Sequence, residues 1–300
     1  MKIAILTPTY NREKLLSRLY DSLLKQPTGS FIWIIIDDGS EDETENLIKS
    51  YISQDKVCIR YYKKNNGGKA AALNYGFAKN PDIDFFAVVD SDDWLYANAI
   101  DVIINKVEKY NDNGSVGAIF FKYSDVNGKP LYDSSANCLK EEICMTRYDH
   151  DSAYIKEDGC IGYYSKVTKK YKYPEYESEK YVGPIVIQMM MADEFTIAFT
   201  QDYIGYAEYQ VGGLSKSGRR LRLKNPLGMI HYCGLLQSEK NKNLKSRIKY
   251  CIEAQAYAFV ANVDRKKLLA YGIDQKYIKD WALIPGRILG MIWKRKYSNS

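Results

Sequence analysis

The first hundred residues alternate between short apolar runs and stretches with helical spacing. The runs that predict β-strands are KIAILTPTY, FIWIIIDDGS, KVCIRYYKK and DFFAVV. Amphipathic spacing predicts helices between and after them, for example where Ile100, Ile103, Ile104 and Val107 share one face. Strands without polar alternation, separated by helices, indicate a parallel sheet covered on both sides. The sequence therefore predicts an α/β fold.

Two of the predicted helices begin near residues that are suited to capping. Asn11 precedes the first helix and is its expected cap. Ser40 stands three residues before Glu43, which is the spacing of a capping box for the second helix.

After about residue 115 the alternation becomes less regular. VGAIFFKYSD predicts a strand, and an irregular, tyrosine-rich stretch follows as far as Pro174. We expect a helix from Glu179, a strand near FTIAFT, and mainly helices in the last ninety residues, with SRIKYCIEAQAYAFVANV the clearest of them. The second half therefore predicts further strands and then a helical carboxyl-terminal part.

Composition and charge narrow the class of protein. The chain of 300 residues is 46% hydrophobic and 27% charged, which is typical of a folded soluble protein. Its net charge of +6 is concentrated in SGRRLRLK and IWKRKYSNS, and nucleic acid, an anionic substrate and a lipid surface fit such runs equally well. Six cysteines without CxxC pairs, and a start that runs directly into a strand, favour a reducing, cytoplasmic setting without a signal peptide.

Polar segments stand where the predicted strands end, and the carboxyl ends of parallel strands are where ligands bind. These segments are Thr7-Pro8-Thr9-Tyr10, Asp37-Asp38-Gly39-Ser40, Asn66-Gly67-Gly68-Lys69 and Asp90-Ser91-Asp92-Asp93. Three acids in the last of them repel each other, and Mg²⁺ or Mn²⁺ shared with substrate phosphates is the simplest compensation. Glycines followed by lysine suit a bound diphosphate. Each segment alone also suits an ordinary turn or helix cap.

The order PTYNRE, IIIDDGS, NNGGKAAALNYG and VVDSDDW resembles the family 2 glycosyltransferases of the GT-A fold, a mixed, mainly parallel sheet flanked by helices. The resemblance implies a nucleotide-sugar donor, usually a UDP-sugar, with the nucleoside near Pro8, Thr9 and Tyr10. It further implies that Asp38 or Asp37 accepts a hydrogen bond from the base, that Asp90 faces ribose or sugar, and that Asp92 and Asp93 hold the metal. The donor-site residues that we expect on these grounds are Thr7, Pro8, Thr9, Tyr10, Asp37, Asp38, Asn66, Lys69, Asp90, Ser91 and Asp92.

The same resemblance implies an inverting transfer, which needs a general base for the acceptor hydroxyl. Matching YPEYESEKYVG to related enzymes makes Glu179 the candidate, with Glu177 and Glu175 as neighbours, although many relatives carry Glu-Asp where this chain has Glu179-Lys180. The alternative is an acid that serves only the dipole of a helix start.

A later segment, QVGGLSKSGRRLRLKNP, resembles a loop that closes over the donor in these enzymes. Arg219 and Arg220, with Arg222 beside them, are the expected contacts to the diphosphate. The alternative is a solvated basic face. His231 is expected to be a core or interface histidine, since no second histidine or cysteine pair stands near it.

We therefore expect a catalytic domain over residues 1–225, with a donor-binding half (1–115) and an acceptor-side half (116–225), and a helical extension over 226–300. Apolar and basic residues over 281–297 suit a helix on the inner face of the cell membrane, and they equally suit packing on the domain or on a second subunit. The expected acceptor is a glycan or lipid-linked glycan, and nucleic acid is not an expected partner.

The expected function is metal-dependent transfer of a hexosyl or N-acetylhexosaminyl group in capsule, exopolysaccharide or cell-wall polymer synthesis. One alternative is a nucleotidyltransferase, although PTYNRE stands where such an enzyme would carry a glycine-rich signature with arginine and lysine. The other alternative is a non-catalytic nucleotide- or glycan-binding module on the same fold.

Overall fold

The computed structural model describes residues 1–131, 137–153, 155, 157–208 and 214–297, and for residues 214–217 only the backbone. The chain forms two compact units. Unit 1 consists of Met1–Thr146, Tyr154–Lys172 and Met191–Gln210, and unit 2 of Arg147–Ala153, Tyr173–Met190 and Val211–Ser300. The boundary predicted at residue 225 separates a catalytic domain from a helical extension by function, whereas these units are separated by compactness. That boundary stays a prediction.

The secondary structure follows the predicted alternation in the first half. The strands are β1 (Ile3–Thr9), β2 (Ile32–Asp37), β3 (Ile59–Lys63), β4 (Phe85–Val88), β5 (Trp94–Leu95), β6 (Val116–Ser124), β7 (Ile143–Met145), β8 (Gly159–Tyr164) and β9 (Thr196–Tyr206). The helices are α1 (Leu16–Leu23), α2 (Thr44–Gln54), α3 (Lys69–Lys79), α4 (Ala99–Asn111), α5 (Arg147–Ser152), α6 (Ser165–Lys170), α7 (Val186–Met190), α8 (Leu214–Lys224), α9 (Pro226–Leu236), α10 (Leu244–Ala261), α11 (Arg265–Ala270) and α12 (Leu283–Tyr297).

The described strands of unit 1 form one mixed sheet in the order β3-β2-β1-β4-β8-β6-β9-β5, with β7 paired to β9. The strands β3, β2, β1 and β4 are parallel to one another, and β6 is parallel to β9. β8 runs antiparallel between β4 and β6. The sheet is flanked by helices, as the sequence predicts, and the four parallel strands end at the same edge.

Both faces of the parallel strands are buried, which explains their lack of polar alternation. On one face Ile5, Trp33 and Ile35 pack with apolar residues of α1, α2 and α4. On the other face α3 comes so close that a Cβ on Gly76 would lie 2.7 Å from Leu6 Cδ1. The helix face of Ile100, Ile103 and Val107 is fully buried, as predicted.

Two predicted caps have a different role from the one expected. α1 and α2 begin at Leu16 and Thr44, several residues after Asn11 and Ser40. Asn11 Oδ1 accepts from the Glu41 amide at 2.9 Å, and Ser40 Oγ accepts from the Asn11 amide at 2.9 Å. These polar side chains therefore tie the loops after β1 and β2 to each other, which no local spacing can reveal.

The helix predicted from Glu179 is wrong in its extent, because α7 spans only Val186–Met190. Pro184 has no amide hydrogen to donate and disfavours helical backbone in the residue before it. The amides of Lys180 and Tyr181 instead donate to Asn225 Oδ1, at 2.7 and 3.0 Å.

Unit 2 is mainly helical, and α10 packs against both α9 and α12. The packing of α12 depends on small residues, since a Cβ on Gly286 would lie 2.3 Å from Gln255 Cβ and one on Gly290 would lie 2.7 Å from Phe259 Cδ1. Among the described helices, none has both the length and the apolar character that crossing a membrane requires.

We expect Gly162→Ala to destabilise the protein, because a Cβ on this β8 residue would lie 2.2 Å from Cζ of the buried Phe85 ring. Overpacking of this kind costs about 1–3 kcal/mol of unfolding free energy, which denaturant titration measures. Gly114→Ala is the matched control, since a Cβ there meets nothing within 4 Å. Equal stabilities of the two variants would contradict the tight packing of β4 on β8.

Candidate active site

The loops that follow β1, β2 and β4, together with the turn before α3, lie at the carboxyl edge of the parallel strands. This edge brings together most of the residues that the sequence predicts for the donor site. These residues fall into three groups: those whose contacts shape the loops, those whose carboxylates repel each other, and those that belong to the core.

Asp38 shapes the glycine turn before α3. Its Oδ1 accepts from the Gly67 amide at 2.9 Å and from Lys64 Nζ at 2.8 Å, and its Oδ2 accepts from the Gly68 amide at 2.6 Å. Gly68 has a φ of +87°, which favours glycine. Asn66 lies half-buried in the same turn. The Asp38 carboxylate therefore fixes the turn that begins α3.

Lys69, the first residue of α3, compensates part of the acidic charge at the end of β4. Its Nζ donates to Asp90 Oδ2 at 2.5 Å. Burial alone would lower the pKa of Lys69, but the attraction of Asp90 outweighs it and the pKa is raised. The other oxygen, Asp90 Oδ1, is buried and has no hydrogen-bond partner in the described part of the chain.

In the other two acids of this segment, Asp92 and Asp93, burial and neighbouring carboxylates disfavour the ionised form. Burial, followed by repulsion from Asp90, raises the pKa of Asp92 and raises that of Asp93 far more. Arg12, which the sequence analysis did not single out, opposes this shift at Asp92. We call Asp90, Asp92 and Asp93 the acid corner. Lys69 contacts one of its three carboxylates, and a further cation would favour the ionised form of the other two.

The acid corner fits a hard divalent cation, because such ions prefer carboxylate oxygens and are held by one or two carboxylates with phosphate oxygens as further ligands. Among residues 1–131, 137–153, 155, 157–208 and 214–297, no group of three or more His, Cys, Asp or Glu side chains could hold a metal ion alone. One or two carboxylates do not complete the coordination of such an ion, so a cation at the corner would need further oxygen ligands.

Two predicted donor residues belong to the core of unit 1. Thr7 is fully buried and its Oγ1 accepts from Trp33 Nε1 at 3.0 Å. Asp37 is also fully buried, and it accepts from the Ser40 amide at 2.7 Å and from the Tyr61 hydroxyl at 2.8 Å. Their polar atoms are used within the fold.

The other predicted residues line the end of β1 and the acid corner. Pro8 pairs with Ile36 of β2. The hydroxyl of Thr9 is buried without a hydrogen-bond partner among the described residues. Tyr10 is 44% exposed, and Ser91 is buried. Thr9 Oγ1 and Asp90 Oδ1 are thus polar atoms at this edge whose hydrogen-bonding capacity the described fold does not use.

In unit 2, the Glu179 carboxylate is held by the first turn of α9. Its Oε1 accepts from the Leu227 amide at 2.6 Å, and its Oε2 accepts from the Gly228 amide at 2.8 Å. Burial raises its pKa to about 6, and the two hydrogen bonds oppose the rise. Glu175 and Glu177 are exposed. The contacts are those of a helix cap, while the pKa is that of a base near neutral pH.

Arg219 lies inside unit 2. Its Nη1 donates to the Tyr257 hydroxyl at 2.6 Å, its Nη2 donates to Glu253 Oε1 at 3.2 Å, and its guanidinium lies 4.1 Å from the Trp293 ring centroid. Arg220 is exposed. Residues 210–213 of the predicted donor-covering loop lie outside the described residues.

His231 also lies in unit 2, where its Nδ1 is 3.0 Å from the Tyr176 hydroxyl. Burial lowers its pKa to about 4. Both observations agree with the expected core histidine.

Sequence reasoning missed the cationic residues Arg12, Arg18 and Lys64. Arg12 opposes the pKa shift of Asp92, Lys64 binds Asp38, and Arg18 Nη2 donates to the Asp92 carbonyl oxygen at 3.2 Å. Arg12 stands in PTYNRE, Lys64 ends the run KVCIRYYKK, and Arg18 lies in the first helix, and each of the three acts on a residue at least 26 positions away. Their place in these segments does not reveal their partners, because the contacts form only when distant parts of the chain fold together.

Known proteins with similar sequences are glycosyltransferases. An uncharacterised glycosyltransferase of Rickettsia typhi is 34% identical over 130 residues, which cover 43% of this chain and 39% of that protein. The poly(ribitol-phosphate) β-N-acetylglucosaminyltransferase TarS of Staphylococcus aureus is 28% identical over 147 residues, covering 48% of this chain and 25% of that one. The chain spans between 18% and 47% of the length of such curated relatives.

Solved structures share the fold at low sequence identity. S. aureus TarS 1–349 superposes with a TM-score of 0.60 at 19% identity, covering 100% of this chain and 92% of that chain. The mannosyltransferase PcManGT of Pyrobaculum calidifontis superposes with a TM-score of 0.53 at 15% identity, covering 99% and 83%. This likeness confirms the predicted GT-A fold.

The family model of glycosyl transferase family 2 matches residues 4–172, which include the whole acid corner and the glycine turn. The match covers more than half of the chain, and with the fold it confirms the resemblance that the four sequence segments indicate. The chain belongs to glycosyl transferase family 2.

Proposed function

We propose that this protein moves a hexosyl or N-acetylhexosaminyl group from a UDP-sugar to a hydroxyl of a glycan or lipid-linked glycan, with inversion, during capsule, exopolysaccharide or wall-polymer synthesis. The observation on which the proposal depends is the acid corner beside Lys69 at the edge of parallel strands. A TarS structure described as a complex with UDP-GlcNAc supports this class of donor.

The donor would lie along the edge from β1 to β4. Tyr10 offers an exposed aromatic ring to the nucleoside, and Thr9 Oγ1 offers an unused hydrogen-bonding atom. Lys69 brings positive charge to the diphosphate. Asp92 and Asp93 would hold Mn²⁺ or Mg²⁺, which when bound offsets the charge of the departing diphosphate. The PcManGT structure is described with GDP-Man and Mn²⁺, in line with this choice of ion.

Glu179 is the proposed general base. In the transfer, the acceptor oxygen forms a bond to the anomeric carbon as the bond to the diphosphate breaks, and the hydroxyl proton passes to the carboxylate. A pKa of about 6 leaves Glu179 mostly ionised at neutral pH and still able to take a proton. The two amides of α9 would hold the carboxylate in one orientation, and each oxygen keeps a second lone pair for the acceptor.

Asp92→Ala should remove metal-dependent donor binding, because a ligand of the cation is lost. We expect the affinity for UDP-sugars in the presence of Mn²⁺ to fall on the order of 100-fold, measured by calorimetry with and without the ion. Asp101→Ala, an exposed acid of α4, is the matched control. If the wild type gains no affinity from Mn²⁺ and Asp92→Ala binds equally well, the metal role is wrong. Tight donor binding without any hydrolysis would favour the non-catalytic module.

Glu179→Gln should slow transfer by ~100-fold or more, the usual contribution of a general base, with donor affinity unchanged. The wild-type rate should rise as the pH increases through about 6, because the base must lose its proton to act. This rise in the pH–rate profile should be absent from the variant. The measurement is the pH dependence of kcat.

The control for this experiment is Asn225→Ala, which breaks the neighbouring hydrogen bonds to Lys180 and Tyr181 and leaves the Glu179 carboxylate in place. This variant should keep the rise in rate near pH 6. Equal loss of rate and stability in both variants would assign Glu179 to helix capping alone.

We also propose that the protein acts at the inner face of the cell membrane, through α12. Its exposed apolar residues lie on one face, at Ile284, Ile288, Met291 and Ile292, with Ile284 72% exposed. Exposed basic side chains lie beside them, at Arg287 and from Lys294 to Lys296. An apolar face with flanking positive charge suits an interface rich in anionic lipid.

Ile284→Glu with Ile288→Glu should reduce binding to phosphatidylglycerol vesicles by at least tenfold, because two charges would enter the apolar face. Flotation measures the bound fraction, and Leu269→Glu, at an apolar residue of α11 that is 56% exposed, is the control. If the double variant leaves flotation unchanged but alters the mass in light scattering, the face is a contact between subunits and the membrane role is wrong.

A further inference from the structure

A row of polar side chains on α1 and just beyond it holds the chain that follows the acid corner. Arg18, Ser22 and Gln26 are spaced four residues apart and alternate along the chain with the buried Leu19 and Leu23. We call these three residues the polar stripe. Ser22 Oγ accepts from the amide of Leu95 at 3.1 Å.

Gln26 makes two such contacts. Its Nε2 donates to the carbonyl oxygen of Tyr96 at 2.8 Å, and its Oε1 accepts from the amide of Ile100 at 3.1 Å. The polar stripe therefore binds backbone groups in β5, just after it and at the start of α4. Residues later in the stripe bind residues later in the chain after the acid corner.

Arg18 is the member of the polar stripe that reaches the acid corner itself. Its Nη2 donates to the carbonyl oxygen of Asp92 at 3.2 Å, and its guanidinium lies 4.3 Å from the ring centroid of Trp94. Its Nη1 donates to Glu208 Oε2 at 2.8 Å, so the charge of Arg18 is largely balanced by a carboxylate outside the corner. What Arg18 supplies to Asp92 is therefore orientation more than positive charge.

Trp94 gives this contact a rigid support. It belongs to β5 and pairs with Tyr206 of β9, and the two rings stack with centroids 5.3 Å apart. Arg18 therefore lies over a ring that is itself anchored in the sheet. A planar guanidinium can stack and donate in two directions at once, which an ammonium group cannot do.

We infer that Arg18 is a positioning residue of the donor site, and this inference rests on the proposed function. Three crowded carboxylates repel each other, and within the corner itself the Asp93 amide donates to the Asp90 carbonyl oxygen at 3.1 Å. Holding the Asp92 peptide against Trp94 keeps the Asp92 and Asp93 side chains in the arrangement that a cation-bound diphosphate needs, before the ligand arrives. Such preorganisation lowers the concentration of ion required.

The test compares Arg18→Lys with Arg60→Lys. Both arginines make ion pairs in unit 1 and have similar exposure, 34% and 30%, but Arg60 pairs with Asp82 at the opposite end of the sheet. Hydrogen–deuterium exchange of peptides spanning residues 90–96 should speed up about tenfold in Arg18→Lys and stay unchanged in Arg60→Lys. The Mn²⁺ concentration for half-maximal UDP-sugar hydrolysis should rise about tenfold, with kcat at saturating Mn²⁺ near the wild-type value.

Unchanged exchange in Arg18→Lys, or equal changes in Arg60→Lys, would overturn the inference. Faster exchange with an unchanged Mn²⁺ midpoint would overturn it too, because the corner would then not need Arg18 to bind the ion. If the wild type binds no donor with Mn²⁺ while exchange still responds to Arg18→Lys, the proposed function fails and the structural part of the inference stands. Should Arg18→Lys not fold, Ser22→Ala is the second variant, because it removes the acceptor for the Leu95 amide from the polar stripe. It should also speed up exchange of residues 90–96 and raise the Mn²⁺ midpoint, each by a smaller factor.

Discussion

Repulsion between three carboxylates at the end of β4 is the constraint around which the edge of unit 1 is arranged. Burial makes this repulsion strong, because charges in a protein interior are poorly screened. The fold opposes it with Lys69 at one oxygen of Asp90, and Asp38 fixes the glycine turn from which α3 and Lys69 begin. Burial and repulsion still raise the pKa of Asp92 and of Asp93, so a cation at this edge would stabilise their ionised forms.

Carboxylates in this protein have different tasks because their surroundings differ. Asp37 is fully buried and satisfied by an amide and a phenol, so it acts within the fold. Asp90 shares its charge with a lysine and keeps one unused oxygen. Glu179 is bound by two amides at a helix start, yet burial keeps its pKa near 6. Residue type alone would have made these acids equivalent.

The same reasoning explains why some predicted site residues already have partners within the fold. Arg219 lies in a segment rich in positive charge and glycine, which is typical of an anion-binding loop. In the structure its guanidinium is enclosed by Trp293, Tyr257 and Glu253, all from helices that follow more than thirty positions later. Thr7 likewise stands beside ligand-type residues in sequence but points to Trp33. Local sequence cannot distinguish these environments.

The sequence by itself determined the alternation of strands and helices, the parallel direction of the first four strands and the edge at which their polar end segments meet, because periodicity and strand-end chemistry are local properties. It also located the acid corner and the lysine of the glycine turn. Only the tertiary structure decided which polar atoms have hydrogen-bond partners. Those of Asp37 and Thr7 are bonded inside the core, and Arg18 donates to the Asp92 carbonyl oxygen, whereas Asp90 Oδ1 and Thr9 Oγ1 have no partner among the described residues. Hydrogen bonds between distant segments make that decision, and their partners are set by packing rather than by spacing along the chain.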